Sequence, residues 1–237
     1  MIRKLLAHFK LPVVPLSAER RARLATLALK ISADANVDLA HDRIVVVDVE
    51  TSGLSLADDH LIAIGAVAIH AGRIVFADSF DVLLRQEQAS VKANILLHGI
   101  GGTAQRSGLP PEEALLEFLQ YLDGAPLFAF HAAFDETMLR KAYRKFLGIN
   151  FHHSWADLAY LLPELFPKYA SKCHALDEWL SRFAIVNEER HNALADALAT
   201  AQLGLITLRS ARAKGNTDFR SLQELEKAQR WLSAVRY

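Results

Sequence analysis

Asp48 and Glu50 stand two residues apart at the end of the run Ile44-Val45-Val46-Val47-Asp48-Val49-Glu50. Four β-branched residues in a row read as a strand buried on both faces, because branching at Cβ suits the pleated backbone. Side chains two apart on a strand share a face, so the two carboxylates point the same way. Like charges side by side at the end of a buried strand repel and lose hydration, and one takes up a proton unless a cation lies between them. For a lone Asp-x-Glu, a strand end open to water is the better account. What else the chain sends to this spot decides between the two.

Two further stretches carry acids in telling places. Asp135 lies in His131-Ala132-Ala133-Phe134-Asp135-Glu136, where a buried strand turns into a helix. Asp is a favoured N-cap, and Phe134 with Leu139 has the spacing of a hydrophobic staple, so Asp135 taken alone reads as a cap. His191-Asn192-Ala193-Leu194-Ala195-Asp196 opens a helix that is apolar nearly all round through Leu208. Such a helix is buried, and a carboxylate on it needs a partner or a metal. His191 and Asp196, about 140° apart if both were helical, converge only if the histidine lies in the preceding loop. A plain hydrogen bond and a functional pair both fit that placement.

Other candidates carry less. His152-His153 with Cys173-His174 fits no zinc pattern, since adjacent strand residues face opposite ways. Asp157 reads as a helix N-cap, and Phe128, Phe130 and Phe134 read as core rather than a stacking platform. There is no P-loop and no dinucleotide-binding glycine fingerprint.

The elements that must position these residues follow from periodicity. A helix is expected from Ser17, its cap, to about Ala35. After the Ile44 strand come a second strand at Leu61–Ile69, a tight Ala71-Gly72 link and a third strand at Ile74–Leu84, forming an antiparallel meander. Ile95-Leu96-Leu97 ends a helix at His98-Gly99 and leads into a flexible loop. Pro110-Pro111-Glu112-Glu113 opens a helix to Leu122. A fourth strand at Leu127–Phe130, a helix from Asp135 to Leu147 and a fifth strand at Phe151–Trp155 come next. Helices near Ala175–Phe183, Asn192–Ala213 and Ser221–Val235 complete the chain. The pattern predicts an α/β domain with a mixed five-stranded sheet flanked by helices. The expected division is an N-terminal helical extension (1–42), a main domain (43–213) and a C-terminal helix packed on it (214–237).

The 237 residues can bury a sizeable core. Half are hydrophobic and 23% charged, an ordinary soluble balance. The apolar runs are too short for a membrane span, the N-terminal stretch lacks a secretory apolar segment, and the single Cys173 cannot form an internal disulfide. A cytoplasmic location is expected. Net charge is zero, but Lys and Arg dominate residues 1–30 and 209–237, which leaves the middle acidic. An acidic site flanked by basic ends suits a polyanion handled through bound cations, and solvated helix faces explain the ends equally well.

Together, Asp48-Val49-Glu50-Thr51-Ser52-Gly53-Leu54, His131 to Asp135 and His191 to Asp196 resemble the three motifs of the DEDDh 3′→5′ exonucleases. That family includes the proofreading epsilon subunit of bacterial DNA polymerase III, ribonuclease T and oligoribonuclease. The resemblance runs from about Arg43 to Leu208, with the motifs in order, and His98-Gly99-Ile100 matches a further element of epsilon-like members. It implies a ribonuclease-H-like fold and a 3′→5′ exonuclease acting on single-stranded DNA or RNA ends. Asp48, Glu50, Asp135 and Asp196 would hold two divalent cations, magnesium or manganese, and His191 would be the general base, losing function once protonated. Thr51, Ser52, Gly53 and Leu54, with His98, His131 and Phe134, would meet the terminal nucleotide. A polymerase or other protein partner, a stand-alone RNA-trimming role, or a non-catalytic nucleic-acid-binding module are the alternatives it leaves. Ala132 departs from the Asn that many members carry there.

Overall fold

The computed structural model describes residues 15–28 and 36–235. Helix α1 (Ala18–Leu27) begins where Ser17 caps it, its side chain accepting the Arg20 N–H. The last part of the helix expected up to Ala35 lies outside the described residues.

Three antiparallel strands follow: β1 (Ile44–Thr51), β2 (Leu61–His70) and β3 (Arg73–Leu83). The β2–β3 link turns on Ala71 (φ 48°) and Gly72 (φ 69°), both left-handed. That is the backbone twist a two-residue hairpin requires. Helices α2 (Lys92–His98), α3 (Gly102–Ser107) and α4 (Pro111–Leu122) lead to β4 (Leu127–Ala129). Next come α5 (Ala133–Ala142), continuing as a π-helical turn to Leu147, β5 (Trp155–Asp157) and α6 (Leu158–Leu165). Helices α7 (Leu176–Arg182), α8 (Ala193–Ala213) and α9 (Phe219–Val235) end the fold. The sheet order is β3-β2-β1-β4-β5, with β4 and β5 parallel to β1.

Alternate residues of β1 serve two cores. Val45, Val47 and Val49 pack on one face with α4 and α5, whereas Ile44 and Val46 pack on the other with α6, α8 and α9. By the same alternation Asp48 and Glu50 face the α8 side. Gly65 of β2, paired with Asp48 across the strands, lets α8 come close. A Cβ at Gly65 would lie 2.2 Å from the Ala193 carbonyl carbon and the Leu194 nitrogen. The start of α8 therefore rests directly on the sheet beside the two acids. Among the described residues, no helix is long and apolar enough to cross a membrane.

Three local expectations are corrected. Gly102–Ser107, read as loop, is a short helix, held by the buried Gln105, whose amide donates to Ser90 Oγ and the Ile100 carbonyl. The fifth strand starts at Trp155 rather than Phe151, because Phe151 stacks on Tyr143 in the core and takes no strand partner. Helix α5 begins at Ala133, so Asp135 sits inside its first turn and caps nothing, and the Phe134–Leu139 staple register is lost. Asp157 does cap α6, accepting the Ala159 N–H.

Candidate active site

The chain ends of β1 and β4 and the starts of α5 and α8 converge on one cavity of about 430 Å³. Asp48 and Glu50 enter from β1, with a register shift between Glu50 and Thr51, which pairs onward with Leu61 of β2. Asp196 enters from the first turn of α8, and Asn192 caps that helix by accepting the Ala195 N–H. One oxygen from each of Asp48, Glu50 and Asp196 lies within 4.8 Å of the others. Asp135, buried beside them in α5, belongs to the same electrostatic cluster without being part of that close trio.

Burial sets the chemistry of these acids. The Asp48 carboxyl is held well above the usual carboxylate range by loss of hydration, then by Asp135, Asp196 and Glu50, with Arg190 offsetting part of the effect. Glu50, 9% exposed, is pushed up to about 8 by burial and by Asp196. Asp135 is raised by burial, with Asp157 and Glu50 adding to it, while the N–H groups of Asp135 and Val49 pull the other way. Carboxyl groups crowded this way either stay protonated or share a cation. Their donor set, all oxygen, suits a hard divalent ion.

Asp196 is already well supplied with donors. Its oxygens accept from the Asn187 amide, the Arg190 guanidinium and, at 2.9 Å, the His191 backbone N–H. Arg190 also lies 2.5 Å from Asp177 of α7, tying that helix to the site. His191 stands in the loop before α8 with φ 64° and lines the cavity. It meets Asp196 through its backbone N–H and is one of the residues lining the cavity with the acids.

Thr51, Gly53, Leu54, His98, His131 and Phe134 all line the same cavity. The Thr51 hydroxyl donates to the Gly53 carbonyl at 2.7 Å, fixing the turn. A Cβ at Gly53 would fall 2.5 Å from Asp59, so the turn has no room for one. Leu54 is 84% exposed at the rim. His98 is buried, its Nδ1 accepting the Ile100 N–H at 3.0 Å, and burial followed by the nearby His191 lowers its pKa. Ser52 is placed differently, donating to Asp59 at 2.7 Å and so bracing the 52–60 loop. Phe130, read as core, also lines the cavity, with its ring edge against His131. Arg190 and Asn187 escaped the sequence reading altogether. Arg190 is adjacent to His191, but nothing in its type or spacing marks it.

The residues from 45 to 203, more than half the chain, match the family model described as Exonuclease. This chain belongs to that family. Its exonuclease domain is of the DEDDh type, in the hydrolase class. A DNA polymerase III subunit epsilon-like protein of Rhodobacter capsulatus is 34% identical over 178 residues, covering 74% of this chain and 25% of the relative. A PolC-type DNA polymerase III of Thermotoga maritima is 29% identical over 182 residues, covering 77% of this chain and 13% of the relative. The chain thus spans a quarter or less of these relatives' length. Among solved structures, E. coli Exonuclease I in complex with a dT13 oligonucleotide superposes with a TM-score of 0.64 at 13% identity. That match covers 74% of this chain and 43% of Exonuclease I. Exonuclease X in complex with 5′ overhanging duplex DNA gives 0.59 at 17% identity, covering 77% of this chain and 99% of that one. These structural likenesses carry the fold, which is the mixed-sheet, ribonuclease-H-like one expected.

Proposed function

We propose that this exonuclease removes nucleotides one at a time from the 3′ end of single-stranded nucleic acid and requires two divalent cations, magnesium or manganese. The observation that carries the reading is the trio of Asp48, Glu50 and Asp196 oxygens within 4.8 Å of one another, in a cavity that His191 also lines. Asp48, Glu50, Asp196 and Asp135 would hold the cations. Bound there, the cations would supply charge stabilisation for the attacking and leaving oxygens of an in-line displacement.

The chain's own residues do the rest. His191 accepts the proton of the attacking water, which adds to the terminal phosphorus as the bond to the 3′ oxygen of the preceding nucleotide breaks. The products are a nucleoside 5′-monophosphate and a chain with a new 3′ hydroxyl, whose proton comes from solvent. The turn at Thr51–Gly53 offers backbone groups to the last nucleotide. Leu54 at the rim and Phe134 across the cavity offer it apolar contact. The relatives of the polymerase III class support DNA as the substrate and a polymerase complex as the setting. Contacts made through metals and backbone are compatible with RNA as well.

The test is digestion of 5′-labelled single-stranded DNA and RNA of equal sequence, with magnesium, with manganese and with EDTA. The expected result is a ladder shortening from the 3′ end with either metal, stronger on DNA, and none with EDTA. Preference for RNA would favour a stand-alone trimming role. Activity undiminished by EDTA would refute the metal reading.

A further inference from the structure

Asp157, at the end of β5, is 1% exposed, yet it does not line the catalytic cavity. Its Oδ1 accepts the His131 backbone N–H at 2.9 Å and the Ala159 N–H at 3.0 Å. Its Oδ2 accepts from Arg230 Nη2 at 3.0 Å. Arg230 Nε donates to Glu226 at 2.7 Å, and the other oxygen of Glu226 accepts the Asp157 backbone N–H at 2.8 Å. The guanidinium lies over the Tyr160 ring, 4.1 Å from its centre. Asp157, Glu226 and Arg230 thus close a ring that locks α9 to the end of β5. Helix α9 lies beyond the family match at residues 45–203.

The recipient of this support is a demanding piece of backbone. His131 has φ 62°, a left-handed conformation disfavoured by any side chain. The next residue, Ala132, is the N-cap of α5 and has no side chain to cap it. Two residues into that helix lies Asp135. The carboxyl of Asp157 is therefore the fixed acceptor for the His131 N–H, and Arg230 is the cation that partners this buried acceptor and holds it in place.

We propose that Arg230 is a positioning residue for hydrolysis: through Asp157 it fixes the His131 backbone and the first turn of α5, which carries Asp135. The proposal rests on the reading of Asp135 as a metal ligand. Its test compares the full-length chain with Arg230→Met, Arg230→Lys, Asp157→Asn and the Asp157→Asn/Arg230→Met double variant. Three quantities are measured: thermal melting, Mn²⁺ affinity by calorimetry without nucleic acid, and kcat with KM on labelled single-stranded DNA.

Arg230→Met is expected to lose about tenfold in kcat and in Mn²⁺ affinity, with KM within about twofold of wild type. Arg230→Lys keeps the charge without the fork and is expected to lose about threefold. The double variant should fall no lower than the worse single one, because both changes break one path. Additive losses would overturn the path through Asp157. Wild-type kcat and Mn²⁺ affinity in Arg230→Met would overturn the positioning role. If Arg230→Met fails to fold, Arg230→Lys decides. A wild-type melt with reduced kcat and affinity supports the proposal, and unchanged values refute it. A wild-type chain that binds no Mn²⁺ refutes the metal reading itself, an outcome distinct from variants that match a binding wild type.

Discussion

Glu50 offers a measurable consequence of crowding acids in a buried place. Its carboxyl is pushed from 4.5 to about 8, chiefly by burial and then by Asp196. Folding therefore raises its proton affinity, so its contribution is fully present below about pH 4.5 and is lost as pH rises towards 8. At pH 7 the unfolded chain releases this proton freely while the folded chain keeps it. The cost to the metal-free fold is about 1.4 kcal/mol for each of roughly 2.5 pH units, or about 3 kcal/mol. Glu50→Gln removes that cost at nearly constant shape. In EDTA at pH 7 the variant should melt roughly 6–12 °C above wild type, at the 2–4 °C per kcal/mol expected for a chain of about this size. At pH 5 the advantage should shrink below about 1 kcal/mol. Millimolar Mn²⁺ should reverse the order, because wild type gains binding energy that the variant has lost. The assay is thermal melting by circular dichroism across pH 5–8, with and without metal. A variant that melts at or below wild type in EDTA at pH 8 would refute the reasoning.

Three further outcomes are expected. His191→Asn should lower kcat on single-stranded DNA at least about a hundredfold with an unchanged melt, and residual activity within tenfold of wild type would remove His191 from the role of base. Gly65→Ala places a methyl 2.2 Å from the backbone of Ala193 and Leu194, so urea unfolding should show a loss of about 3 kcal/mol, and a loss under 1 would contradict the close packing. Leu54→Ala removes an exposed rim side chain, so stability should hold within about 0.5 kcal/mol while KM for single-stranded DNA rises. An unchanged KM would take Leu54 out of substrate contact.

The parts of the site legible in the sequence are those written in short-range pattern. The run Ile44 to Val47 and its alternation give β1 and put Asp48 and Glu50 on one face, as observed. The apolar surface of α8, with a histidine just outside it, gives the placement of His191 and Asp196. What escaped depends on contacts distant in sequence. Asp135 looks like a cap, but a left-handed His131 starts the helix earlier, and the acceptor that fixes His131 comes from Asp157 on another strand. Arg190 acquires its place only because the fold brings Asp177 and Asp196 to either side of it. Gln105 turns an apparent glycine loop into a helix through partners 5 and 15 residues away.

The attachment of α9 has a second effect, on the behaviour of the protein in solution. β5 is an outermost strand, and the outward backbone groups of such a strand invite pairing with another chain. Here two of those groups are taken by side chains: Gln223 donates to the Trp155 carbonyl at 3.0 Å, and Glu226 accepts the Asp157 N–H. Two polar residues one turn apart on α9 thus occupy part of the place a sixth strand would take, covering the margin of the sheet without extending it. Shortening the chain before Gln223 would open that margin, and self-association through β5 would be the first symptom.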